Sequence, residues 1–187
     1  MPAALKSKDE VIAIVLETFR REGYDGASLA ALSTATGLGK SSLYHYFPGG
    51  KEDMASQVLD LVDAWALREI VAPLKGSGTP AERLDHMLDA VTSFYAQGAK
   101  ACVLGRLCAS VDRARFQKRV ERLFESWIHA LAAVISEAGV PRAAARQRAE
   151  DALVRIQGVL VVCEGLGDPA PFRRTVRQLR AELLEPR

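Results

Sequence analysis

The sequence predicts an all-α protein, with a three-helix unit at the N-terminus followed by a larger helical domain. Three observations support this. Apolar residues recur at helical spacing in every segment, and glycines and prolines fall between the segments. No stretch shows the two-residue alternation of a half-buried strand.

In the first segment Ile12, Val15, Leu16 and Phe19 fall at i, i+3, i+4 and i+7, and Gly23 is placed to stop the helix. Tyr24 to Ala27 reads as a turn. Ser28 is placed to cap a short helix carrying Leu29, Leu32 and Ala35, which ends at Gly37. Gly37-Leu38-Gly39 reads as a tight turn, and Lys40 to Phe47 as two further helical turns stopped by Pro48. After a Gly49-Gly50 loop, Lys51-Glu52-Asp53 opens a longer helix striped by Met54, Val58, Leu61 and Trp65. Pro73 and Lys75-Gly76-Ser77-Gly78 mark the clearest break. Thr79-Pro80-Ala81-Glu82 then restarts the helix as a capping box with proline at the first helical position. Leu84, Met87, Leu88, Val91 and Tyr95 share a face of this helix, and Gly98 ends it. A short element follows between Lys100 and Ser110. Three more helices are expected: one after Asp112 up to Gly139, one from about Arg142 to Glu164, and one beginning at Asp168-Pro169.

Composition limits the function classes. The 187 residues are 49% apolar and 26% charged, an ordinary globular balance able to bury a core. With 25 basic and 23 acidic side chains the formal net charge is +2, which excludes a histone-like tail or a polyacidic chain. No apolar run approaches the roughly 18 residues of a membrane span, and no signal-peptide core is visible. Three cysteines (Cys102, Cys108 and Cys163) form no disulfide framework, so a reducing, cytoplasmic setting is expected.

The first fifty residues are the informative part. Three short helices are joined by tight turns, and the second and third meet through the glycine-containing turn that a helix-turn-helix uses to cross its helices steeply. The third is unusually polar for a core element: Lys40, Ser41, Ser42, Tyr44, His45 and Tyr46 surround Leu43 and Phe47. Such side chains donate to phosphate oxygens and base edges. A solvated short helix in a bundle is the structural alternative.

The segments Val11 to Tyr24, Ala27-Ser28-Leu29, Thr36 to Pro48 and Lys51 to Met54 together resemble the DNA-binding domain of the TetR (tetracycline-repressor) family, over about residues 8 to 55. The run Leu43-Tyr44-His45-Tyr46-Phe47-Pro48 is the most specific part. The resemblance implies a dimeric, all-helical repressor whose third helix enters the major groove. It also implies C-terminal helices that bind a small inducer and form the dimer interface. Gly49-Gly50 lengthens the usual spacing to the following lysine by one residue. With Lys100 to Leu107 it is similar to the branch that includes lincomycin-resistance-type repressors.

Carried over by position, Ser28 matches a phosphate contact, and Lys40, Ser41 and Ser42 match positions facing bases or nearby phosphates. Tyr44 and His45 match backbone and base-edge contacts, and Lys51 matches the phosphate-binding lysine that opens the fourth helix. A helix N-terminus favours phosphate on physical grounds as well. Residues 1 to 51 nevertheless hold only six basic against five acidic side chains, so the affinity expected from charge alone is modest.

Other signals point elsewhere or nowhere. Gly39-Lys40-Ser41 resembles the end of a phosphate-binding loop, but Thr34 stands where that motif needs glycine, and no strand precedes it. His45, His86 and His129 show no metal-ligand spacing. No catalytic residue, metal or cofactor is therefore expected. Trp65, Met87, Phe94 and Trp127 are the candidate ligand pocket, and the basic stretch from Lys100 to Arg122 suggests an uncharged or weakly anionic, mostly apolar inducer. In the last helix Phe172, Val176, Leu179 and Leu183 follow a 4-3-4 seam, and Val159 to Val162 is apolar all round. Leu160, Val161, Phe172, Val176, Leu179 and Leu183 are accordingly expected at a homodimer interface.

The expected architecture is residues 1–52 for DNA binding and 53–187 for ligand binding and dimerisation. The expected function is a non-enzymatic, ligand-responsive transcriptional regulator, a repressor released from a palindromic operator by a small molecule. The alternative is a helical small-molecule-binding protein or enzyme that keeps the fold without DNA recognition.

Overall fold

The computed structural model describes residues 6–185 and is helical throughout, with no strand among the described residues. Helix α1 (Lys8–Gly26) starts in a capping box: Ser7 Oγ accepts from the Glu10 amide at 3.2 Å, and the Glu10 carboxylate accepts from the Ser7 amide at 2.7 Å. Gly23 breaks it with φ +71°. Helix α2 (Leu29–Thr36) is capped by Ser28, whose Oγ accepts from the Ala31 amide at 3.1 Å. Helix α3 (Lys40–Tyr46) follows the turn at Gly37, and α4 (Gly50–Ala66) follows Pro48.

A π-helical turn (Leu67–Val71) and the short α5 (Ala72–Lys75) continue α4. Pro73, expected to break the chain, is instead absorbed. It has no N–H to offer the Glu69 carbonyl, and the wider turn before it, closed by the Ala72 amide on the Leu67 carbonyl, accommodates that loss. The break falls at Gly76 to Gly78. Helix α6 (Pro80–Phe94) then begins in the Thr79–Glu82 capping box, as its sequence indicated. The cap's backbone amide holds the Glu82 carboxyl below the usual carboxylate range, and Ser7 does the same for Glu10. Both caps therefore contribute at neutral pH and are lost as pH falls through those lowered values.

The remaining helices are α7 (Val103–Cys108), α8 (Arg113–Glu137), α9 (Arg142–Leu166) and α10 (Ala170–Glu182). None of the described helices is long and apolar enough to cross a membrane.

The chain divides into two compact units. The first comprises residues 1–63 together with 103–117, and the second residues 64–102 with 118–187. In the first, Val11, Val15 and Phe19 of α1, Leu32, Leu43, Phe47 and Met54 are at most 1% exposed. They share that unit with Val103, Leu104, Leu107 and Phe116, which are buried too.

In the second unit α6 contributes Leu84, Met87, Leu88 and Val91, and α8 contributes Trp127, Leu131 and Val134. The buried face of α9 is rich in alanine (Ala145, Ala149 and Ala152), and small side chains let a helix be approached closely. Arg83 is also buried here. It donates to the Leu74 carbonyl at 3.1 Å, which caps α5, and pairs with Glu137.

The apolar seam of α10 corrects an expectation. Phe172, Val176, Leu179 and Leu183, with Leu160 of α9, are all at most 9% exposed within the single chain. Helix α10 has one apolar stripe and spends it on its own α9 and α6, where each fully buried side chain is worth about 1.5–3 kcal/mol. Of the residues expected at a subunit boundary, Val161 alone faces outward, 70% exposed.

The turn after α6 is strained. Ala96 and Gln97 both have positive φ (47° and 58°), and Gly98 follows at φ +98°. A Cβ on Gly98 would lie 2.5 Å from the Cβ of Phe172. Gly98→Ala should lower stability by about 2–3 kcal/mol or more, read as a lower urea midpoint. Gly139→Ala, at the same φ but with nothing within 4 Å, should cost about 1 kcal/mol. Equal losses would mean that the Phe172 contact is unimportant.

Candidate nucleic-acid interface

The site begins at the turn between α2 and α3. Gly37 adopts φ +71°, a left-handed conformation that a Cβ would penalise, and this releases the chain from α2. The turn is then tied by side chains. Ser33 Oγ donates to the Leu38 carbonyl at 2.5 Å, Thr36 Oγ1 donates to the Leu32 carbonyl at 2.7 Å, and the Leu38 amide donates to Thr36 Oγ1 at 3.3 Å. Lys6 closes the arrangement from outside: its ammonium donates to the Thr36 carbonyl, and its own carbonyl accepts from the Tyr46 hydroxyl at 2.6 Å. The start of the described chain, the end of α2 and the end of α3 are thereby fixed to one another. The sequence does not announce Lys6 and Tyr46 in these roles, because the contacts of Lys6 span 30 and 40 residues.

On α3 the division of labour is sharp. Leu43 is 1% exposed and Phe47, just past the helix, is fully buried, whereas Lys40, Ser41, Ser42, Tyr44 and His45 are all exposed. Ser28 is exposed at the start of α2. Its oxygen is engaged by the Ala31 amide, but its hydroxyl hydrogen is still free to donate.

Lys51 sits differently. It is half-buried, its ammonium donates to the Tyr24 carbonyl at 2.9 Å, and it lies 4.6 Å from the centre of the Tyr24 ring. Burial, with Asp112 and Glu52 nearby, holds the Tyr24 phenol above its ordinary value, so the ring beneath the lysine stays neutral. The first unit as a whole contains nine basic and ten acidic residues. Arg20, Arg21 and Arg115 pair with Glu17, Glu22 and Glu52. Any affinity for a polyanion must therefore come from placement rather than bulk charge.

The four aromatic and sulfur side chains expected to line one pocket are split between two places in the second unit. Trp65 and Phe94 stack with ring centres 3.8 Å apart and line an open cleft of about 460 Å³ with Glu69, His86, Asp89, Ala90 and Ser93. Met87 and Trp127 are instead core residues, 0% and 2% exposed, and the indole N–H donates to the Met87 sulfur at 3.2 Å. Met87 and Phe94, seven residues apart, share a face of α6, but Met87 lies deep in the core whereas Phe94, one turn past the last buried valine, is half-buried at the open end. Among the described residues no group of three or more His, Cys, Asp or Glu is placed to hold a metal ion.

Comparison with known proteins matches both parts of the chain. Residues 15–58 match the bacterial regulatory proteins of the tetR family, and residues 80–178 match the LmrA/YxaF-like transcriptional regulator C-terminal domain. The HTH-type transcriptional regulator LmrA of Bacillus subtilis is 20% identical over 160 residues, covering 83% of this chain and 85% of that protein. A TetR transcriptional regulator from Legionella pneumophila shares the fold, with a TM-score of 0.82, 20% identity and coverage of 98% of this chain and 100% of that one. So does the TetR family regulator CifR, as a cysteine mutant complexed with 26-bp double-strand operator DNA, with a TM-score of 0.73, 18% identity and coverage of 97% and 99%. With an N-terminal helix-turn-helix and an LmrA/YxaF-like C-terminal domain, the chain belongs to the TetR family of transcriptional regulators.

Proposed function

We propose that this regulator is a homodimeric repressor that grips a palindromic operator through α3 and releases it when a small-molecule inducer binds. The observation that carries the reading is the exposed face of α3, where five polar side chains surround two buried anchors. In this reading residues 1–52 recognise DNA and residues 53–187 sense the ligand and dimerise. Lys40, Ser41, Ser42 and His45 face base edges or adjacent phosphates, and Ser28, Tyr44 and Lys51 hold the phosphate backbone.

The dimer reading rests on α9. Val154, Val161, Val162 and Leu166 are 49–70% exposed and follow one face of that helix, an apolar stripe that a second copy would cover. The inducer reading rests on the Trp65–Phe94 cleft. Its rim carboxylates are already paired, Glu69 with Arg68 and Asp89 with Arg180, and no residue of the basic stretch 100–122 lines it. An uncharged, flat, mostly apolar compound suits that cleft better than an anion.

Lys51→Ala should weaken binding about equally on all duplex sequences. It should also flatten the dependence of log affinity on log salt by about two per dimer, one phosphate contact per subunit. Tyr44→Phe should weaken binding uniformly without changing the slope, and Ser41→Ala should change which base pairs are preferred. An unchanged slope for Lys51→Ala would remove that lysine from the phosphate backbone.

Val161→Arg tests the assembly. Because Val161 is exposed in the single chain, the variant should keep its helical circular dichroism yet scatter light as a monomer and bind the operator more weakly. A dimer mass would place the interface elsewhere.

A further inference from the structure

We propose that Tyr24 is a positioning residue for Lys51, and that the segment 103–117 sets its position. The inference rests on the reading of Lys51 as a phosphate contact. It adds the device that holds this lysine ready.

A lysine ammonium has three N–H donors on a flexible four-carbon stem, and fixing it on a phosphate costs rotamer entropy. Here much of that ordering is done in advance. One donor is taken by the Tyr24 carbonyl at 2.9 Å, and the charge lies 4.6 Å from the centre of the Tyr24 ring, which attracts it through its π face. The remaining donors of this half-buried group are left for an anion. The carbonyl is available because Gly23 interrupts α1 just before it: the closing bonds of the turn use the Gly23 and Gly26 carbonyls instead.

Tyr24 in turn is held from the far end of the sequence. It is 5% exposed, tilted against Phe19 at 5.7 Å and met edge-on by Phe116 at 5.1 Å. The same segment touches the chain on both sides of this tyrosine. Arg106 Nε donates to the Arg20 carbonyl at 3.2 Å, and the Val111 amide donates to the Asp25 carboxylate at 3.0 Å. It also reaches the neighbour of the lysine itself, since the Arg115 guanidinium pairs with Glu52. Phe116, Arg106, Val111 and Arg115, all from one short segment, thus converge on a single ammonium group and its support. Helix α8 begins within this segment, at Arg113, and continues to Glu137. A displacement of that segment would shift the Tyr24 ring and slacken the lysine while the recognition helix stays folded.

The test is a double-mutant cycle on the full-length protein, with affinity for a 30-bp random-sequence duplex as the readout, since a phosphate contact is sequence-independent. Tyr24→Leu should weaken binding about fivefold or more in the Lys51 protein and leave affinity unchanged in the Lys51→Ala protein, while Tyr24→Phe, which keeps the ring, should restore it. Because Tyr24 is buried, the exposed pair Asp25→Ala with Arg115→Gln serves as a second arm that cuts the segment's polar ties without opening the core. Its loss of affinity should likewise vanish in the Lys51→Ala background. Losses of equal size with and without Lys51 would show a merely structural role and overturn the proposal. If Lys51→Ala alone left affinity unchanged, the phosphate assignment of Lys51 would fail first, a distinct result.

Discussion

A seven-residue helix cannot hold itself in water, and α3 has only Leu43 buried within its span. Everything it is asked to do depends on being held by other parts of the chain. Phe47 anchors its end in the core, Gly37 sets the angle at which it leaves α2, and Lys6 with Tyr46 pins it from outside. The exposed serines, lysine, tyrosine and histidine are displayed on a platform whose rigidity comes from its surroundings. A polar helix with this little core contact would fray if the turn were loosened.

The electrostatics of the first unit point the same way. Nine basic and ten acidic residues give no attraction at long range, so DNA is not drawn in by bulk charge. In the proposed reading recognition rests on a few positioned donors: Lys40 is exposed on α3, and the Lys51 ammonium is held by the Tyr24 carbonyl. Neutral hydrogen bonds carry information about sequence but little salt dependence. The proposed reading therefore predicts a shallow salt slope, with discrimination owed largely to geometry.

What the sequence revealed was local. Ser28 as a cap, Gly37 as the end of α2, the Thr79–Glu82 box and the polar face of α3 depend on neighbours within a few residues, and each is where its local chemistry placed it. The positioning network was hidden because its partners lie far apart: Lys6 with Tyr46, and Arg106 with Arg20 across 86 residues. The seam of α10 misled for a related reason. A single apolar stripe shows that a helix must be covered but not by what, and here the chain covers it itself. The true outward stripe on α9 was only partly legible, because Val159 to Val162 is apolar on every side and the pattern alone does not say which side is inside. Met87 and Trp127 likewise looked like pocket residues by spacing and are core.

In the proposed reading two copies of α3, presented by a nearly neutral domain, read a specific duplex sequence. Selection of bound duplexes from a random-sequence pool by the full-length protein, at physiological salt, tests this most directly. The expected result is enrichment of an inverted repeat whose two half-sites match, with the preferred bases shifting when Ser41 is changed. Recovery of duplexes with no common sequence, or of a single unrepeated half-site, would contradict it.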